Sequence, residues 1–138
     1  VGVFNLELLR LYSYLYQDSD KNYSIVHDLG GYDEISLTNS VKIVSNKSEV
    51  LFSAEDLGLK NNTQEAIFGG NTVSEASKIF KTIIGGQGTE AQNNVVCANA
   101  GLAIATAKQL THIEGYELAK EALISGKANK CLTKLIAL

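Results

Sequence analysis

Apolar residues in the first segment fall at Leu6 and Leu9, with Ser13 and Tyr16 continuing the spacing. That three-to-four-residue period predicts a helix over residues 4–17 with one buried face, and Asn5 stands where an N-cap belongs. A polar turn over 17–22 leads into residues 23–26, a short, mostly apolar strand of the kind buried on both faces. Residues 28–33 read as a loop. Short runs over 34–37, 41–44 and 49–52 read as three more strands. Their connections are too short for crossover helices, so they predict an antiparallel excursion.

The second half changes period. Gly69-Gly70-Asn71-Thr72 leads into a helix with Ala76, Ile79, Phe80 and Ile83 on its apolar face, and Gly85-Gly86-Gln87-Gly88 stops it. Residues 92–110 are small and apolar nearly all round, which predicts a central helix. Thr111 with Glu114 makes a capping-box pattern for the next helix. Ser125-Gly126-Lys127 closes that helix, and residues 128–136 form the last. Strands come early and helices late, with no repeat and no internal linker. The pattern predicts part of an α/β domain, a sheet edge with its covering helices.

Composition narrows the class. A chain of 138 residues with 45% hydrophobic residues suits one domain with a real core. The formal net charge of −3 argues against a nucleic-acid groove or an anionic membrane surface as partner. No apolar run approaches the ~20 residues of a membrane span. Cys97 and Cys131 both fall in predicted helices and read as small core residues; with no secretory signal, a cytoplasmic setting is expected. The chain contains no proline and no methionine, even at position 1. Average usage would give roughly seven prolines. The missing initiator predicts a start inside a longer product, or a chain that was processed or trimmed.

The chemistry concentrates at His27-Asp28-Leu29-Gly30-Gly31-Tyr32-Asp33-Glu34-Ile35-Ser36. Asp33 and Glu34 are adjacent hard oxygen donors after a glycine pair, suited to a magnesium ion that carries a phosphorylated substrate. Adjacent residues of a regular strand face opposite ways, so sharing one ion requires the backbone to turn there. A solvated turn pair is the plainer alternative. His27 reads as a histidine that ties the loop down by hydrogen bonds. His112, at a helix start, reads as surface. Asn94 and Asn99, in the central helix, are expected to pin loops through their amides. Gly85-Gly86-Gln87-Gly88-Thr89 invites a phosphate-loop reading, but it lacks the Lys-Ser/Thr pair and does not follow a strand.

Six short segments in order carry a resemblance: Val1-Gly2-Val3-Phe4, Ser24-Ile25-Val26-His27, Gly31-Tyr32-Asp33-Glu34-Ile35-Ser36, Gly69-Gly70-Asn71, Asn94 to Ala100, and Ala122 to Ala128. Together they resemble the C-terminal part of the anthranilate phosphoribosyltransferase family. The resemblance implies an α/β fold of the nucleoside-phosphorylase and phosphoribosyltransferase type, a few strands covered by about five helices. Residues 1–138 would be the C-terminal portion of its α/β domain. Substrates would be phosphoribosyl diphosphate and anthranilate, in tryptophan biosynthesis. Asp33 and Glu34 would hold Mg2+ on the diphosphate, and the intact enzyme would be a homodimer through a helical domain. That helical domain and the family's Gly-Thr-Gly-Gly-Asp loop are absent from these residues, so a C-terminal fragment, inactive alone, is expected. The residue after the Asp-Glu-Ile-Ser run is Leu37 where proline is usual. Asp28 stands where glycine usually follows His27, with extra loop length. Two alternatives remain: a pyrimidine-nucleoside phosphorylase relative, and a stand-alone domain without catalysis.

Overall fold

The computed structural model describes residues 1–138. Asn5 caps α1 (Leu6–Tyr16), its side chain accepting from the Leu8 N–H at 2.8 Å. The sheet follows as β1 (Ser24–Asp28), β2 (Val41–Ser45) and β3 (Glu49–Phe52), antiparallel in the order β1-β2-β3. On the other side of β1, Gly2 bridges Val26 in parallel; Val3 N–H donates to Val26 and Val26 N–H to Val1, each at 2.9 Å. α1 is thus the crossover of a parallel unit, which is what gives the chain its α/β character.

The remaining helices are α2 (Val73–Ile84), α3 (Glu90–Lys108), α4 (His112–Ile124) and α5 (Lys127–Ile136), with short 3-10 turns at Ala54–Leu57 and Glu65–Ile67. Capping boxes start α2, α3 and α4 at Thr72, Thr89 and Thr111. Each such cap is worth about 1 kcal/mol. The expected strands at 23–26, 41–44 and 49–52 are all present within a residue or two.

β1 is buried on both faces, as its composition predicted. On one face Ile25 and Val44 pack with Val3 and Leu9, and Tyr12, Tyr16 and Tyr23 stack beside them. On the other, Val26, Ile43 and Phe52 meet Ala98, Leu102, Tyr116 and Leu123 of α3 and α4. Full burial of an aliphatic such as Ile25 contributes about 1.5–3 kcal/mol. α3 and α4 approach so closely at Gly101 and Gly115 that neither position has room for a Cβ.

Several expectations are corrected. Residues 34–37 form no strand: Leu37 takes a left-handed φ of 58°, the Asn99 side chain rather than a neighbouring strand pairs with Ile35, and the Leu37 carbonyl accepts from Asn62 N–H. Cys131 is exposed, because α5 packs mainly along α4 and buries no residue; Cys97 is buried as expected. His112 is half-buried rather than on the surface. It sits edge-on to Phe52 at 5.3 Å, and burial lowers its pKa, opposed by Asp56. α3 begins two residues early, and its central position is one-sided, with Val96 exposed opposite buried Cys97 and Ala98. The apolar face of α2 forms, yet the helix buries no residue.

The Tyr116 hydroxyl donates to Asn94 Oδ1 at 2.9 Å. Burial above all, with Cys97, Glu117 and Glu90 adding to it, pushes its pKa from 10.0 up to about 12. The neutral phenol is therefore favoured by folding. Its contribution is complete below about pH 10 and is lost as pH rises towards 12. Urea midpoints of wild type and Tyr116→Phe should converge or cross over that window. A constant difference would contradict the linkage.

Candidate functional site

Asp33 and Glu34 lie on a bend at the C-terminal end of β1, where the chain leaves the parallel pair made with residues 1–3. In open α/β sheets this carboxyl end is where ligands bind. Both side chains are exposed, and neither joins the two ion pairs, Lys42–Glu49 and Lys127–Glu121. The backbone does bend at the pair, so the two residues are not in a regular strand. No cluster of three or more His, Cys, Asp or Glu that could hold a metal is present. Any cation here would therefore complete its shell with water or with ligand oxygens.

Three residues position the bend. Gly2 lies against the Asp33 carbonyl, in space that any Cβ at Gly2 would fill. Asn99 of α3 acts as a surrogate strand for Ile35: its Oδ1 accepts the Ile35 N–H at 2.9 Å, and its Nδ2 donates to the Ile35 carbonyl at 2.8 Å. Asp28, wholly buried, accepts from Gly30 N–H at 2.7 Å, Ser36 N–H at 3.3 Å and Ser36 Oγ–H at 2.5 Å. The pinning role expected of Asn99 is present. That of Asp28 was missed, because in sequence it reads only as a replacement for glycine. An Asp followed two residues on by Gly, the pattern of an Asx turn, was the available signal.

The other candidates stay apart from the pair. His27 is buried, and its Nδ1 donates to the Val3 carbonyl at 2.9 Å. A carbonyl only accepts, so this fixes the proton on Nδ1. His27 thus ties residues 1–3 to β1 and not, as expected, the loop that follows it; its ring bonds to the N-terminal segment that pairs beside β1. Asn94 accepts from Tyr116 of α4, so it joins two helices and does not pin a loop as expected. Gly85 stops α2 with its N–H on the Lys81 carbonyl at 3.0 Å, so the glycine cluster is a helix stop and not a phosphate loop.

Beside Asp33 a cleft of about 610 Å³ opens between residues 1–2, β1 and α3, lined among others by Gly2, Tyr23, Asn99, Ala103 and Thr106. Its walls are mixed, with carboxylate and amide at one end and apolar and tyrosine surface at the other.

Known proteins share this fold. An anthranilate phosphoribosyltransferase of Flavobacterium psychrophilum is 58% identical over 135 residues, 98% of this chain and 41% of that protein. One of Flavobacterium johnsoniae is 55% identical over the same shares. The chain thus spans about two-fifths of the length of the curated relatives it matches. The crystal structure of anthranilate phosphoribosyltransferase from Thermus thermophilus superposes with a TM-score of 0.86 at 28% identity, covering 99% of this chain and 41% of that one. The enzyme from Saccharomyces cerevisiae, solved in complex with PRPP and Mg, shares the fold, with a TM-score of 0.78 at 19% identity over 96% of this chain and 38% of that one. The family model described as glycosyl transferase family, a/b domain, matches residues 1–129. By that match, the chain belongs to the glycosyl transferase family through its a/b domain.

Proposed function

We propose that this chain is the metal-anchoring side of an anthranilate phosphoribosyltransferase, which transfers phosphoribose from phosphoribosyl diphosphate to the anthranilate nitrogen in tryptophan biosynthesis. The observation that carries the proposal is the identity of 58% and 55% to enzymes of that name along nearly the whole chain. The apolar surface left open on α2 and α5, including Val73 and Phe80 and then Leu135 and Ile136, fits a domain that packs against further protein. In the intact enzyme that further protein would include the phosphate loop and the helical domain that makes a homodimer. We place the enzyme in the cytoplasm, in keeping with two unpaired cysteines. No helix is long and apolar enough to cross a membrane.

Asp33 and Glu34 suit Mg2+ as hard, exposed oxygen donors free of ion pairs. Mg2+ is held through one or two carboxylates together with substrate phosphates and retained waters, so a third protein ligand is not required. The Saccharomyces cerevisiae enzyme of the same fold is solved in complex with PRPP and Mg, which supports Mg2+ as the ion. Bound there, the ion would neutralise charge developing on the departing diphosphate. The chain's own contribution is placement. Asn99 and Gly2 fix the backbone on either side of the pair, and β1 carries it to the mouth of the sheet. Held that way, the carboxylates do not have to reorganise as the leaving group separates.

The test is a substrate comparison on the full-length protein. It should consume anthranilate in the presence of phosphoribosyl diphosphate and Mg2+, and should leave thymidine with inorganic phosphate untouched. The 138-residue chain alone should turn over neither. Thymidine cleavage without anthranilate consumption would favour the phosphorylase alternative and overturn the proposal. Inactivity of the full-length protein towards both would favour the non-catalytic domain.

A further inference from the structure

We infer that Asp28 is a positioning residue for Asp33 and Glu34, its buried carboxylate closing the loop that presents them. The functional consequence rests on the metal-anchoring role proposed above.

The Asp28 side chain has no exposed surface and no cationic partner. A buried charge is costly unless hydrogen bonds replace its lost water. Here every side-chain partner comes from the loop that Asp28 itself begins. Oδ1 accepts from Gly30 N–H, and Oδ2 accepts from both Ser36 N–H and Ser36 Oγ–H. Three donors converge and no acceptor faces the carboxyl, so the geometry suits the ionised form, which accepts only. Such charge-assisted bonds are stronger than neutral ones. The backbone of the same residue adds two more ties. Asp28 N–H donates to the Tyr32 carbonyl at 3.0 Å, and its carbonyl accepts from Gly31 N–H at 2.9 Å.

One residue thus holds the loop at positions 30, 31, 32 and 36, on both sides of 33–34. Ser36 Oγ also lies 2.7 Å from Thr38 Oγ1, which carries the restraint onward to Asn39. Asparagine at position 28 would keep the volume but turn an N–H towards one of these donors. The loop would then relax and the two carboxylates would lose their fixed relation. Partners that orient metal ligands without touching the metal typically set affinity by about 10–100-fold.

The experiment uses the full-length transferase, with Mn2+ titrated by electron paramagnetic resonance in the presence of phosphoribosyl diphosphate. Asp28→Asn should weaken Mn2+ affinity about tenfold or more, with kcat at saturating Mn2+ near wild type. Amide exchange at Gly30 and Ser36 should accelerate in the same variant. Ser36→Ala, which removes only the hydroxyl bond, should shift affinity in the same direction by less, and it carries the test if Asp28→Asn does not fold. Unchanged Mn2+ affinity in the folded variants, with Asp33→Asn weakened, would overturn the inference and leave the metal anchor standing. Unchanged affinity in Asp33→Asn as well would mean that the anchor itself has failed, and the role of Asp28 with it.

Discussion

Replacing Asp33 with Asn and Glu34 with Gln together should lower turnover of the full-length transferase by about 10²-fold or more, with its melting temperature unchanged. The two halves of that expectation have separate causes. The fold is indifferent because both side chains are exposed and take part in no ion pair, so their loss strands no partner. Exposed changes of this kind usually stay within about 0.5 kcal/mol. Activity is not indifferent, because diphosphate leaves with its charge neutralised only while the cation is held against it. Neutral amides remain oxygen ligands but lose the charge that selects a hard dication. Excess Mg2+ should restore part of the rate, since the defect lies in holding the ion. Near-normal rates at ordinary Mg2+ would remove the pair from the mechanism. A fall in melting temperature equal to that of a core variant would make the loss uninformative about chemistry.

The largest effect on stability should come from Gly115→Ala. A Cβ there would run into the Gly101 carbonyl oxygen and come within 2.9 Å of the Ala105 Cβ. At Gly101 the same construction meets the Tyr116 backbone at 2.7 Å. Alanine gains about 1 kcal/mol of helix propensity over glycine. Overpacking typically costs about 1–3 kcal/mol and occasionally more, and here the obstacle is backbone, which cannot rotate away. A net loss of about 2 kcal/mol or more in urea unfolding is expected. The helices would have to separate, and with them the Ala98–Leu102 wall that β1 packs on and the Asn99 amide that holds Ile35. Equal or higher stability in Gly115→Ala would show that α3 and α4 are not so close.

The strands that form were legible because β-branched residues alternate with turn residues over short spans, and pairing between β2 and β3 is local. The helices were legible from period and, for α4, from the Thr111–Glu114 cap; the Thr89–Gln92 cap of α3 was missed, which is why that helix was begun two residues late. Residues 34–37 were misread for a definite reason. Ile35 and Leu37 are both buried, so the apolar signal was sound. The backbone partners, however, are the side chains of Asp28 and of Asn99, the latter 64 residues away, and the Asn62 N–H on the Leu37 carbonyl, and no local pattern announces them. The carboxylate pair was legible because it is a local motif. Its supports were not, because Gly2 matters only through a close approach and Asp28 only through what it encloses. Cys131 was misplaced because the amphipathic pattern of α5 predicts an apolar face without saying whether the chain supplies a cover for it.

The central claim is that Asp33 and Glu34 anchor the metal on the diphosphate. A crystal structure of the full-length protein with phosphoribosyl diphosphate and Mg2+ tests it most directly. At least one carboxylate oxygen of the pair should lie about 2.1 Å from the ion or reach it through a single water, with the diphosphate on the ion's other side. An ion bound to the diphosphate with both side chains turned away to solvent would contradict the claim.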